Sequence, residues 1–468
     1  MTTGAVRILA ALLLVAAGVV FFSEASRAQS SHPFEFQDND RILILAPHPD
    51  DETLGTGGVI QEAVRRHLPV KVVYLTNGDN NQWSFLVYKK RPVLSKKGLL
   101  KMGELRRQEA IDAMRLLGLD EKNLVFLGYP DYGTLQMFTR YWGHTKPFKA
   151  LLTKARQVPY ASSPSFGETY VAENILSDLK TQLLQFKPTK VFVTNPSDTN
   201  RDHQAYYLFL RVALWDLKGW LPPPQIYPFI IHSEKWPQPR GLQPDQPLQP
   251  PAALTDTRIN WSILELTPDH IQQKAKALDA YKTQTAYSAK YLNSFVRTNE
   301  LFGDLPEILL RRSPDGEINW DELDLAENIT SEPEAEAQKD GRVIKTITYA
   351  LDHDYLYIRI RSLDLLERET GINLFLLGYR KGIPFSAMPK FRIYIDYQNN
   401  AIVFERHRTV MIKDVHITPK GKDIYVQFPL NELHFPDYVF SCVRTRMGKF
   451  PLEASAWRVL SLTGEDQP

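Results

Sequence analysis

Cysteine is almost absent from this 468-residue chain. Cys442 stands alone, so no intramolecular disulfide can form, and its strand-like neighbours Phe440 and Val443 mark it as a small apolar core residue. An excess of one charge is absent too: the formal net charge is +2 and no long basic stripe occurs, which excludes a general affinity for nucleic acid phosphate. There is no internal repeat and no glycine-rich phosphate loop. At roughly 150 residues per domain, the length predicts two or three domains.

The first thirty residues carry an address. Arg7 precedes an apolar stretch from Ile8 to Phe22, and the small residues Ser26 and Ala28 prepare a cut after Ala28. That is the layout of a secretory signal. The stretch is short for a membrane span, so residues 1–28 are expected to be cleaved, with membrane attachment through residues 8–22 as the alternative. In either case the protein is expected to be exported, to a periplasm or to the extracellular space.

Five strand-like runs alternate with helical ones through the first 230 residues: Arg41 to Ala46, Val70 to Thr76, Asn123 to Gly128, Thr189 to Asn195 and Gln225 to His232. Helical spacing appears in Glu104 to Leu117, Val171 to Phe186, His203 to Leu217 and Asp269 to Tyr287. The alternation predicts an α/β fold, a Rossmann-like and mostly parallel sheet with helices on both faces, over residues 38–305. The aromatic insertion from Tyr129 to Tyr170 reads as a packed lid core or as a wall for stacking sugar rings. Residues 306–340, polar from Glu332 to Asp340, read as a linker and the entry to the next domain. Beyond them, Arg342 to Leu351, Tyr355 to Ser362, Asn373 to Tyr379, Phe391 to Tyr397, Ala401 to Arg406, Asp423 to Phe428 and Ser455 to Leu462 are short alternating runs, which predict an all-β sandwich over 341–468.

The densest chemistry lies in Ala46-Pro47-His48-Pro49-Asp50-Asp51-Glu52, where the first strand hands over to a helix. One imidazole and three carboxylates within five residues repel and raise one another's pKa, and a divalent cation reverses that penalty. A catalytic metal site needs about three protein ligands and an open position. His48 and one of the paired aspartates supply two. The third is expected from a neighbouring strand end, and after the fourth strand the chain reads Asp198-Thr199-Asn200-Arg201-Asp202-His203. In a doubly wound sheet strands 1 and 4 can lie side by side, which lets His203 reach the same metal as His48 and Asp51. Read singly, the Asp pair also suits a magnesium site and His203 an ordinary residue at a helix start.

A strand followed by P-H-P-D-D-E, with a later D-x-N-x-D-H at the head of a helix, resembles the PIG-L/LmbE family of zinc-dependent N-acetylglucosamine deacetylases. Arg106-x-x-Glu109 before Leu117-Gly118, Phe126-Leu127-Gly128-Tyr129-Pro130-Asp131 and Tyr281-Lys282-Thr283-Gln284 extend the resemblance over about residues 40 to 290. It implies zinc, or another first-row divalent metal, on His48, Asp51 and His203. It also implies Asp50 as general base, Arg106 and Asp131 as sugar contacts, and an amino-sugar or glycan substrate. One departure stands out: many members carry a histidine where this chain has Asn200. The proton for the leaving amine is then expected from Asp50, assisted by His232 or His144 with His232 preferred, while Asn200 donates a neutral hydrogen bond to the oxyanion. Arg106 and Glu109 also suit a local i,i+3 ion pair. Pro314 to Trp320 and Ala456-Trp457-Arg458 loosely resemble family 9 carbohydrate-binding modules; a sandwich that only braces the catalytic domain would instead bury Trp320 and Trp457. The rival functions are a metal-containing glycan-binding protein without turnover and an amidase for a non-sugar acyl amine.

Overall fold

The computed structural model describes residues 31–462 apart from 81–86, 88–94, 144, 255–258, 314–317, 321–322 and 324–342. The signal or anchor, His144 and most of the polar linker lie outside the described residues. Five strands, Ile42–Ala46 (β1), Val70–Thr76 (β2), Leu124–Tyr129 (β3), Lys190–Thr194 (β4) and Gln225–Phe229 (β5), pair in parallel in the order β3-β2-β1-β4-β5. Strand β1 is buried throughout: Leu43 and Leu45 join one apolar cluster, and Ile42, Ile44 and Ala46 join another on the opposite face. A strand covered on both sides has no polar face, so its sequence is a continuous apolar run. The winding direction reverses between β1 and β4, which are paired through Ile42 and Lys190 to Leu45 and Val193, and the crevice at their carboxyl ends lies at this switch point.

The helices are Asp51–Arg65 (α1), Lys96–Leu116 (α2), Thr134–Arg140 (α3), Ala172–Phe186 (α4), Arg201–Asp216 (α5), Pro268–Leu278 (α6) and Lys282–Leu292 (α7). Among the described residues none is long and apolar enough to cross a membrane. Several boundaries differ from the expected ones, among them the start of α2, which is Lys96 and not Glu104, where Ser95 Oγ accepts the Gly98 N–H. Helix α5 starts two residues early, at Arg201, because Asn200 Oδ1 accepts the Asp202 N–H at 2.9 Å and caps it. Strand β5 stops at Phe229, since the Ile231 and His232 N–H groups both donate to Asp198 Oδ2. The segment from Asp269 to Tyr287 is two helices, not one. The Thr283 N–H, which a continuous helix would use internally, donates instead to the distant Glu109 carboxylate at 2.8 Å.

Helix α1 breaks at Thr56, and the buried Glu300 carboxylate accepts the N–H groups of Gly58 and Val59 beside the break. Glu300 lies in an unforeseen three-stranded sheet of Ser31–Pro33, Asn260–Glu265 and Asn299–Asp304. A side chain at Gly55 would meet the Phe229 ring at 2.2 Å, so glycine lets α1 lie directly on β5.

The C-terminal domain holds two sheets rich in antiparallel pairs, one of four strands and one of eight, around a shared apolar cluster. Ile308–Leu309, within the segment read as linker and sandwich entry, pairs with Arg458–Ser461 in the larger sheet. The long strand Tyr438–Met447, missing from the expected runs, lies near its middle. Both faces of this sheet bury apolar residues. Leu374, Leu376, Val439 and Val443 point into the domain's own core, while Phe375, Leu377, Phe440, Cys442 and Trp457 belong to the same cluster as α3 and α5 of the α/β domain. The aromatic insertion divides accordingly: Phe138 and Trp142 are buried under the β domain, whereas Tyr132 and Phe166 are exposed. The Phe440 ring lies tilted against Trp215 at 5.0 Å and edge-on to Phe138 at 5.8 Å. Phe440→Ala should therefore cost about 3–5 kcal/mol and loosen both domains together in chemical denaturation. A curve in which only the β domain weakens would refute a common core.

Candidate metal centre

The loop after β1 and the head of α5 meet at the carboxyl edge of the sheet. His48 Nδ1 lies 3.2 Å from Asp51 Oδ2, His203 Nε2 lies 3.1 Å from the same oxygen, and the two nitrogens are 3.2 Å apart. Donors around a tetrahedral ion at about 2.0–2.1 Å stand about 3.3–3.4 Å from one another, so this triangle fits a zinc-sized ion. Each imidazole is oriented from behind. His203 Nδ1 faces Asp198 Oδ2 at 3.0 Å, and His48 Nε2 faces Asp131 Oδ1 at 3.2 Å and Asp202 Oδ2 at 3.3 Å. Carboxylates on the outer nitrogens fix the tautomer that leaves the inner ones free to ligate. Asp202 is itself held by the Thr134 N–H and hydroxyl and by the Tyr132 N–H.

Charge balance points the same way. Asp50, Asp51, Glu52, Asp131, Asp198 and Asp202 are all buried, with Arg106 as the one buried arginine beside them. Burial opposes a charge on His203, yet Asp198 and Asp51 push it up to about 9; His48 is likewise held well above its ordinary value by Asp131, Asp202 and Asp51 despite its burial. The cluster holds more buried carboxylates than cationic groups, an imbalance that a divalent cation relieves.

Asp50 does not join the triangle. Its carboxylate lies along the wall of a 160 Å³ cavity with His48, Arg106, Asp131, Asn200 and His232. It precedes α1 at φ 124° and makes no side-chain cap, which leaves the carboxylate for other work. Burial pushes its pKa up to about 8, against the pull of Arg106. Glu52 anchors the loop: its carboxylate accepts the Asp50 N–H at 3.1 Å and the Tyr281 hydroxyl.

Arg106 donates to the carbonyls of Pro49 at 2.8 Å and Gly78 at 3.0 Å and stands 3.5 Å from Asp50, so besides lining the cavity it braces the acidic loop. The local Arg106–Glu109 ion pair is not what forms: Glu109 accepts the Thr283 N–H and hydroxyl, which explains why a remote Tyr281-Lys282-Thr283-Gln284 stretch accompanies the site. Asn200 faces the cavity with its carbonyl oxygen committed to the helix cap. The His232 ring lies 4.9 Å from the His203 ring, and burial lowers its pKa to about 4. Its Nδ1 stands 3.2 Å from the Tyr291 hydroxyl, whose proton goes to the Ile231 carbonyl, so the neutral ring carries hydrogen on Nδ1. Asp198, Asp202 and Tyr291 were not singled out from sequence. The two aspartates stand in the D-x-N-x-D-H motif and could have been found there; Tyr291 has no such signal.

Residues 43–214 match the PIG-L family, described as GlcNAc-PI de-N-acetylase. Two curated mycobacterial proteins are similar, both 1D-myo-inositol 2-acetamido-2-deoxy-alpha-D-glucopyranoside deacetylases. That of Mycobacterium sp. strain KMS is 28% identical over 259 residues, covering 53% of this chain and 75% of its own. That of strain JLS is 26% identical over 258 residues, covering 52% and 74%. Among solved structures, the N,N'-diacetylchitobiose deacetylase of Pyrococcus horikoshii aligns over 58% of this chain and 88% of its own, with 18% identity and a TM-score of 0.35. Residues 43–214 thus form a PIG-L family domain, with the His48–Asp51–His203 triangle at its switch point.

Proposed function

We propose that the protein is an exported, zinc-dependent hydrolase that removes acetyl groups from N-acetylated amino sugars or glycoconjugates. The observation that carries this is a triangle of three ligand atoms, 3.1–3.2 Å apart, beside a buried carboxylate that is not one of them. A zinc ion on His48, Asp51 and His203 would lower the pKa of a water toward about 7 and polarise the acetamide carbonyl. The remaining steps belong to the chain. Asp50 takes the proton of the attacking water and, with a pKa that burial already raises, returns it to the departing amine. The Asn200 amide nitrogen, opposite the oxygen used for capping, donates to the oxyanion. His232, kept neutral by burial, has no acid proton to give near pH 7, so delivery of the amine's proton falls to Asp50 and His232 is left to hydrogen-bond the substrate. Asp131 and Arg106 contact the sugar from the cavity wall.

Acetate release by metal-loaded protein should be measured over a panel of N-acetylglucosamine conjugates and non-sugar acetamides, with metal-free protein as control. Release from the sugars alone supports the proposal. Release only from the others moves the protein to the amidases, and sugar binding without release makes it a binding protein, the reading that Asn200 favours. Metal uptake should also be proton-linked. His203, at about 9 without metal, must lose its proton to ligate, so affinity should rise with pH by about tenfold per unit or more between pH 6 and 8. Competition with a chelator at several pH values measures this, and a flat profile would contradict it.

A further inference from the structure

Arginines gather where the two domains meet. In the larger sheet, Asn373 and Phe375 pair with Arg444 and Cys442 on one side and with Tyr394 and Arg392 on the other. Side chains alternate along a strand, so Arg392, Arg444 and Arg446 share the face that Phe375 and Cys442 press against the α/β domain. From the other side come Arg140, at the end of α3, and Arg201, at the start of α5. Burial and the Arg444 and Arg140 guanidiniums lower Arg201 against the pull of Asp202, and burial with Arg140 and Arg446 lowers Arg392, so Arg140 is within electrostatic reach of Arg201, Arg392 and Arg444, and Arg392 of Arg446. Among the described residues none of the five forms an ion pair. The Nε atoms of Arg392, Arg444 and Arg446 are buried without a hydrogen-bond partner. The forks lie against rings, Arg392 at 4.0 Å over Phe404 and Arg446 at 4.2 Å over Tyr394.

Five like charges that form no ion pair among the described residues, with the Asp202 carboxylate acting on Arg201 alone of those whose interactions are resolved, are a standing cost that an anionic ligand lowers in a chain of formal net charge +2. We infer that this face binds an anionic glycan, as a distal subsite for the substrate of the metal centre. The inference rests on the deacetylase reading and adds the substrate's charge. Continuity favours it: Tyr141, next to Arg140, lines a 570 Å³ cavity with Lys146, Arg156 and the β-domain residue His407, and this cavity shares Asp131 and Tyr132 with that of the metal centre. A chain leaving the metal over Tyr132 meets cations and aromatic rings. Planar guanidinium forks suit carboxylate, sulfate or phosphate groups, and rings suit sugar faces.

The test uses the full-length Asp50→Asn variant, so that ligand is not consumed, and compares hyaluronan oligosaccharides with chitooligosaccharides of equal length by calorimetry. Hyaluronan should bind more tightly and lose affinity with added salt. Arg392→Gln with Arg446→Gln should weaken it about tenfold or more and leave chitooligosaccharide binding unchanged. Arg140→Gln, on the other domain, should act in the same direction and guards against a misfolded sheet. Equal affinity for the two ligands, or no loss in either variant, overturns the inference. So does binding to phosphatidylglycerol vesicles, but not to hyaluronan, that the same substitutions abolish; the face would then serve a membrane surface. Failure of wild-type protein to release acetate from any sugar, with the binding pattern intact, would remove the deacetylase reading and leave the anionic-glycan site.

Discussion

His203→Ala or His48→Ala should strip the protein of stoichiometric metal and abolish measurable acetate release. Each substitution removes one of three donors that stand 3.1–3.2 Å apart, and each leaves carboxylates facing a gap, Asp198 behind His203 and Asp131 with Asp202 behind His48. Loss of an outer-shell partner typically costs about 10–100-fold in metal affinity, so loss of a ligand should cost more. Asp198→Asn serves as the calibrator, since it keeps the ligand and weakens only its orientation. Elemental analysis after dialysis gives the answer. One ion per chain in the double His48→Ala, His203→Ala variant would place the metal elsewhere.

Asp50→Asn should behave in the opposite way, keeping metal while losing about two to four orders of magnitude in rate. No donor atom of the triangle is touched, and the amide retains the size and shape of the carboxyl while being unable to carry a proton. Near-normal turnover would move the base to another residue. Joint loss of metal and activity would mean that Asp50 and Asp51 have exchanged roles.

The parts of the fold that were legible in sequence are those whose environment is uniform. Strand β1 is covered on both faces and reads as an apolar run. The strand Tyr438–Met447 is covered on both faces too, but it mixes Cys442 and Phe440 with Arg444 and Arg446 because its outward face crosses from a buried junction to an arginine cluster, and no period survives. The break between α6 and α7 was illegible for another reason. It depends on Glu109, which is 174 residues away from Thr283 in sequence. In the site, the ligand triangle followed from one loop, one motif and the adjacency of strands 1 and 4. The orienting roles of Asp198 and Asp202 did not follow, because they depend on which imidazole nitrogen turns inward. Trp457, offered by sequence as a glycan contact or a core residue, is buried, with its indole N–H donating at 3.2 Å to Gln204, the residue after His203.

The backbone at Asp50 shows a tension between lasting and working. At φ 124° this residue occupies a region in which only glycine is at ease, and such conformations cost of order 1–3 kcal/mol. Its side chain contributes no helix cap to offset that cost. Asp50→Gly should therefore melt later than wild type while losing the proton carrier entirely, a single substitution that trades catalysis for durability. Backbone strain of this kind gathers at functional sites, and Asp50 lies on the wall of the cavity that adjoins the His48–Asp51–His203 triangle.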